Sequence, residues 1–97
     1  MEIEEAQRHI GALYGARDLK RGTRDTFLWL VEEVGELSEV LRKEHTAGLR
    51  EELSDVLAWL LSLSNVLGID LGEAFSAKYG SVCPRCMQAP CSCSEVE

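Results

Sequence analysis

The chain has 97 residues, a formal net charge of −7 and a sequence pI of about 4.8. A chain of this length forms one small domain at most and buries a limited share of its surface when alone, so we expect self-association. The acidic balance argues against a protein that coats nucleic acid or is attracted to anionic membranes. No apolar run approaches the length of a membrane span, and the acidic start lacks the features of a signal peptide, so we expect a cytoplasmic protein.

Four helices are predicted by hydrophobic residues that recur with helical spacing. Gly22 and Thr23 fit the end of the first helix and the start of the second, and Gly68 fits a cap at the end of the third. The stretch 45–48 between the second and third helices is short, which favours an antiparallel hairpin of these two helices. In chain order, the helices cover about residues 2–20, 24–44, 49–67 and 70–79.

The predicted fold class is therefore all-α, with this hairpin at the centre and the first and fourth helices packed around it. A single hairpin leaves apolar surface exposed, so we expect two subunits to complete a four-helix bundle, in a homodimer or a homotetramer. The helical domain spans residues 1–80, and a cysteine-rich tail spans residues 81–97.

Each helix of the hairpin carries two acids three residues apart, beside its apolar face. The pairs are Glu33 with Glu36, and Glu52 with Asp55. Facing carboxylates repel one another, and partly buried anions are costly unless a cation neutralises them. Oxygen ligands with no histidine or cysteine nearby favour magnesium, manganese or calcium, and magnesium bound in this way often contacts phosphate. These four acids therefore predict a site for Mg²⁺ or Mn²⁺ that takes a phosphorylated substrate.

Basic and aromatic residues near the acid pairs are candidate substrate contacts. Arg24, with Lys20 and Arg21 beside it, could reach a phosphate, although a solvated charge run is the alternative. Trp29 and Trp59 lie about one turn from the acid pairs, where they could stack on a base or simply pack in the core.

Three further polar residues are weaker candidates. His9 and His45 could act as a ligand or a base, but lone histidines are more often solvated. Asn65 is expected on the outward side of the third helix, where a structural or partner-facing role is at least as plausible as base recognition.

The acids and the residues that follow them resemble a known family. The pattern Glu32-Glu33-x-x-Glu36, then Glu52-x-x-Asp55, Gly68-Ile69-Asp70-Leu71 and Glu73-Ala74, is similar to that of the MazG-like nucleotide pyrophosphohydrolases of the all-α NTP pyrophosphatase superfamily. The resemblance covers about residues 23–79. It implies hydrolysis of a nucleoside triphosphate between its α and β phosphates, with magnesium, to give a monophosphate and pyrophosphate.

The same resemblance implies roles for individual residues. The metal ligands would be Glu33, Glu36, Glu52 and Asp55. Glu32 would orient a water molecule or a ligand, and Lys78 would contact a phosphate, with a solvated lysine as the alternative. An asparagine that the family often carries a few residues later is missing, so the phosphate and sugar contacts beyond Lys78 are not assigned.

The tail contains four cysteines with the spacing C-x2-C-x4-C-x-C. Four thiolates at this spacing predict a tetrahedral, structural Zn²⁺ site, and the C-P-x-C half resembles a zinc knuckle. Disulfides, redox-active thiols and free thiols are the alternatives. The predicted ligands are Cys83, Cys86, Cys91 and Cys93.

Two other functions compete with the hydrolase. One is a non-enzymatic helical interaction module that uses the zinc knuckle as a scaffold. The other, a carboxylate-bridged di-iron bundle, is disfavoured because neither acid pair includes a Glu-x-x-His element.

Overall fold

A computed structural model describes residues 1–44 and 46–94, so His45 lies outside the described residues. The regular secondary structure of the described residues consists of helices, with no strand, which confirms the predicted all-α class. No single helix among them is long and apolar enough to cross a membrane; Ala47–Leu67 and Leu71–Tyr79, bent by 102°, pass that test only as a pair. The helices are α1 (Ile3–Arg42), α2 (Thr46–Leu67) and α3 (Leu71–Tyr79).

Helix α1 combines the first two predicted helices and is broken at Gly22. This glycine has φ 86° and ψ 173°, outside the helical region, in a conformation that residues with a Cβ rarely adopt. The predicted boundary is correct in position, but no linker separates the two helical segments. We call residues 3–21 the first arm of α1 and residues 23–42 its second arm.

The second arm and α2 form the predicted antiparallel hairpin. Near its open end the rings of Trp29 and Trp59 stack, with their centroids 5.9 Å apart. Near its closed end a Cβ added at Gly48 would lie 3.5 Å from a methyl group of Val40. Helix α2 begins at Thr46, three residues earlier than predicted.

The first arm packs along the other half of α2, also antiparallel to it. The Nδ2 of Asn65 donates a hydrogen bond to the backbone oxygen of Gln7 at 3.1 Å, and the guanidinium of Arg21 lies 4.7 Å from the centre of the Trp59 ring. The prediction that Asn65 points outward is therefore wrong. A helical wheel of α2 shows which residues share a face, but not that the first arm covers this one.

The side chain of Gln7 links the first arm to the start of helix α3 through two hydrogen bonds. The amide of Gln7 donates to the backbone oxygen of Ile69 at 2.7 Å and accepts from the backbone N–H of Leu71 at 2.9 Å. Asp70 caps the helix, since its carboxylate accepts from the N–H of Glu73 at 3.0 Å, as the sequence predicts. The start of α3 is thereby fixed beside the beginning of α1.

Little apolar surface is buried within one chain. Leu61 is the buried hydrophobic residue of the described core, at 2% exposure. Two apolar rows with i, i+4, i+7 spacing are about half exposed on the hairpin, one on each helix. This exposure agrees with the expectation of self-association. The rows are Phe27, Val31, Val34 and Leu41 on the second arm, and Leu53, Leu57 and Leu60 on α2.

Candidate active site

Three carboxylates converge between the second arm and α2, and we call them the acid trio: Glu33, Glu36 and Glu52. Each contributes an oxygen atom, and these atoms lie within 4.8 Å of one another. Glu33 and Glu36 share a helix face because they are three residues apart, and the antiparallel hairpin brings Glu52 opposite them. The structure thus brings together three of the four predicted metal ligands.

Asp55, the fourth predicted ligand, is exposed and lies beside the trio rather than within it. It is nevertheless near enough to act on the trio, since its charge helps to raise the pKa of Glu33 and of Glu52. Asp55 also lines the cavity next to the trio. Its position is therefore at the boundary between the acids and the space that a substrate would fill.

The electrostatics of the acid trio favour a bound cation. Loss of hydration raises the pKa of Glu33, and the charge of Glu36 raises it further. The same two causes, in the same order, raise the pKa of Glu52. In addition, the Oε2 atoms of Glu33 and Glu52 are buried and have no hydrogen-bond partner. A cation would neutralise the charge of both groups and coordinate these two oxygens.

A cavity of about 300 Å³ lies beside the acid trio, between the first arm and α2. One of its walls contains Asp18, which is only 2% exposed and accepts a hydrogen bond from Arg21 at 2.8 Å. This wall was not predicted, because only the packing of the first arm shows that it faces the acids. The lining residues are Tyr14, Arg17, Asp18 and Arg21 from the first arm, and Asp55, Ala58, Trp59 and Ser62 from α2.

Comparison with known families agrees with this arrangement. The model of the MazG nucleotide pyrophosphohydrolase domain matches residues 21–87, which include the acid trio and Asp55. The chain belongs to the MazG family. The resemblance predicted from the acid pattern is therefore confirmed, and the family suggests a metal-dependent nucleotide pyrophosphohydrolase with a nucleotide substrate. No curated protein matches the chain.

The two tryptophans of the MazG domain lie together at the edge of the cavity. Their rings are nearly parallel, with 17° between their planes. Trp29 is about half exposed, whereas Trp59 lines the cavity and lies under the guanidinium of Arg21. Trp59 therefore combines packing between helices with contact to the cavity, and base stacking by either ring stays a prediction.

The remaining candidates lie outside the trio and its cavity. Glu32 and Arg24 are exposed and do not line the cavity. Lys78 lies in the last turn of α3, with its ammonium 5.5 Å from the centre of the Tyr79 ring, and it lines a separate cavity near the tail. His9 is exposed on the first arm. The roles predicted for Glu32, Arg24 and Lys78 therefore stay predictions.

The four cysteines of the tail form a second cluster, whose Sγ atoms lie within 4.8 Å of one another. The Sγ atoms of Cys83 and Cys93 are 3.7 Å apart, and those of Cys86 and Cys91 are 3.9 Å apart. These distances are far from the roughly 2.0 Å of a disulfide, but they fit a tetrahedron of sulfurs about 2.3 Å from a central zinc. The cluster could hold a metal ion. The MazG match ends at residue 87, so it includes only the first two of these cysteines.

The thiols of the cluster differ in their tendency to ionise. Backbone N–H groups, first that of Ser92, lower the pKa of Cys86 to about 6, and N–H groups at Cys86 and Arg85 lower that of Cys83. In contrast, the neighbouring sulfurs, first Cys91, raise the pKa of Cys93 to about 12. The neighbouring sulfurs therefore oppose ionisation of Cys93, and a bound cation would offset that effect.

Proposed function

We propose that this MazG-family chain hydrolyses nucleoside triphosphates between the α and β phosphates, releasing a nucleoside monophosphate and pyrophosphate, with Mg²⁺ at the acid trio and Asp55. The observation that supports this proposal most directly is the pair of buried, unpartnered oxygens of Glu33 and Glu52 beside Glu36. A cation bound between these two oxygens would explain why they are buried without a hydrogen-bond partner. Because the trio lies beside a cavity, the cation would also be within reach of a ligand in that cavity.

The donor set fits magnesium. It consists of carboxylate oxygens alone, and neither histidine nor cysteine belongs to the trio. Mg²⁺ prefers such ligands and keeps several waters when a few carboxylates hold it, and Mn²⁺ accepts the same oxygen ligands. When bound, the ion supplies positive charge that stabilises the phosphate oxygens as negative charge develops on them.

The protein side chains would position the substrate and accept a proton. Glu36 is the exposed member of the acid trio, so it is the carboxylate that solvent reaches most easily. We propose that Glu36 accepts the proton of the attacking water. Arg17, on the cavity wall, brings positive charge near the bound nucleotide.

The experiment that tests this proposal is a screen of the purified protein with Mg²⁺ against ordinary and modified nucleoside triphosphates. Pyrophosphate and monophosphate are detected separately from orthophosphate. We expect equal amounts of pyrophosphate and monophosphate from at least one substrate, and none when Mg²⁺ is left out. Release of orthophosphate alone would contradict cleavage between the α and β phosphates. No turnover across the panel by folded, metal-loaded protein would instead favour the non-enzymatic interaction module.

We also propose that the two apolar rows of the hairpin pair with those of a second copy to form a four-helix bundle, in a dimer or a tetramer of two such dimers. Rows with i, i+4, i+7 spacing on antiparallel helices are the surfaces that such bundles bury. Light scattering should give a mass of two or four chains of 10.8 kDa. The Leu57→Glu variant should lower that mass while circular dichroism still shows helix. A monomeric wild-type protein would contradict the proposal.

The metal that we assign to the cysteine cluster is Zn²⁺. Four thiolates fill all four positions of a tetrahedral zinc ion, which leaves no position for a substrate. Zinc there would therefore hold the tail in its fold and take no part in hydrolysis. Two backbone hydrogen bonds already close the loop that carries Cys83: its N–H donates to the oxygen of Gln88 at 3.0 Å, and its oxygen accepts from the N–H of Met87 at 2.8 Å.

A further inference from the structure

One carboxylate oxygen of Asp18 makes no hydrogen bond in the fold. Its Oδ1 accepts a hydrogen bond from Arg21 at 2.8 Å, whereas its Oδ2 is buried and has no hydrogen-bond partner. Buried polar atoms in folded proteins are nearly always paired, so an unpaired carboxylate oxygen at 2% residue exposure requires an explanation. Neither the hydrolysis step nor the metal site uses this residue.

The position of Asp18 indicates which ligand would pair with it. Asp18 lines the cavity of about 300 Å³ whose wall also contains Asp55 and Trp59. A volume near 300 Å³ is at the small end of the range for ligand pockets. A triphosphate bound at the acid trio would extend its nucleoside past Asp55 into this cavity. Asp18, on the first arm, then faces the part of the nucleotide that differs between substrates.

Arg21 fixes how Asp18 presents its free oxygen. The guanidinium of Arg21 donates to Oδ1, lies 3.4 Å from the hydroxyl oxygen of Thr26 and lies over the Trp59 ring. Thr26 is fully buried, and the Arg21 side chain is 23% exposed, so this group of side chains has little freedom to rearrange. The carboxylate is therefore held with Oδ1 occupied and Oδ2 unpaired, and such a fixed arrangement is the preorganisation that selective sites require.

We propose that Asp18 recognises the base of the nucleotide and selects bases that carry an exocyclic amino group; this inference rests on the proposed hydrolase function. An ionised carboxylate oxygen accepts hydrogen bonds and cannot donate one. The amino group of cytosine or adenine would donate to Oδ2. Uracil and hypoxanthine carry a carbonyl oxygen at the same position, which would face Oδ2 as a second acceptor. Arg21 is the positioning residue that holds Asp18.

Two pairs of nucleotides test this selection, because each pair differs at the amino position. They are CTP with UTP, and ATP with ITP. We expect kcat/KM to favour the amino-bearing member of each pair by on the order of 10-fold to 100-fold, the range for one buried hydrogen bond replaced by two facing acceptors. The same ratios measured as Kd in the Glu36→Gln variant report binding without turnover.

The Asp18→Asn variant separates recognition from a structural role. Its amide oxygen can still accept from Arg21, which leaves the amide nitrogen to donate towards the cavity. The preference should therefore invert towards UTP and ITP. A purely structural role for Asp18 would instead lower kcat/KM for both members of a pair by the same factor, and that result would overturn the inference. The matched control is Asp25→Asn, an exposed aspartate outside the cavity, which should keep the wild-type ratios.

The two proposals fail in different ways. If the wild-type protein releases pyrophosphate equally well from both members of each pair, the role of Asp18 is wrong and the hydrolase function stands. If the protein neither binds nor hydrolyses any of the four nucleotides, both proposals are wrong.

Discussion

The Glu36→Gln variant is expected to lose about two to three orders of magnitude in kcat for pyrophosphate release, the usual cost of removing one electrostatic contribution to a transition state. The substitution keeps the size of the side chain but removes one negative charge and one predicted metal ligand. It also removes the charge that raises the pKa of Glu33 and Glu52, so both of those pKa values should fall. Because Glu36 is exposed, the fold should remain intact.

The matched control for this variant is Glu51→Gln. Glu51 is an exposed neighbour of Glu52 on α2 and does not belong to the acid trio, so its kcat should stay within about twofold of wild type. The measurement is the initial rate of pyrophosphate release at saturating Mg²⁺, with thermal melting to check the fold. Equal losses in the two variants, or no loss in Glu36→Gln, would show that the acid trio is not the reaction centre.

The second large effect is expected at the cysteine cluster. Purified wild-type protein should contain about one zinc ion per chain, and the Cys86→Ser variant should contain almost none. Serine cannot replace the thiolate, and the three remaining sulfurs no longer complete the tetrahedron. Ser81→Ala, a change in the same tail outside the cluster, should keep its zinc.

Metal analysis by mass spectrometry measures this difference, and substitution by cobalt(II) tests the ligands directly. A cobalt ion held by thiolates gives a sulfur-to-metal charge-transfer absorption, which carboxylate ligands do not give. Wild-type protein without zinc, or zinc that remains in Cys86→Ser, would rule out the four-cysteine site. Because the two clusters use different side chains, Cys86→Ser should still require Mg²⁺ for any pyrophosphate release.

The acid trio could be anticipated because its main determinant is local. Glu33 and Glu36 share a face through their i, i+3 spacing, and a short connection predicts that α2 returns alongside them. A helical wheel of α2 places Glu52 and Asp55 on the same face, because they too are three residues apart. Only the relative rotation of the two helices places Glu52 in the trio and Asp55 beside it, and that rotation depends on the packing of the whole hairpin.

The first arm could not be placed from the sequence. Gly22 indicates where α1 breaks, but its φ of 86° and the resulting direction of the first arm depend on contacts with α2. The outward prediction for Asn65 fails for this reason, and Asp18 has no local signal that separates it from a solvated aspartate. Asn65 bonds to Gln7, 58 positions earlier in the chain, and the cavity that Asp18 lines is closed by residues 55–62 of α2.

The break at Gly22 also separates two tasks along the chain. The acids that would carry out hydrolysis follow this glycine, while half of the cavity wall precedes it, and Asp18 lies just before the residues that the family shares. A substitution in the first arm would therefore reshape the cavity proposed for the nucleoside and leave the spacing of the acids unchanged. Under the two proposals, substitutions before Gly22 would alter the choice of substrate, and substitutions after it would alter the hydrolysis itself.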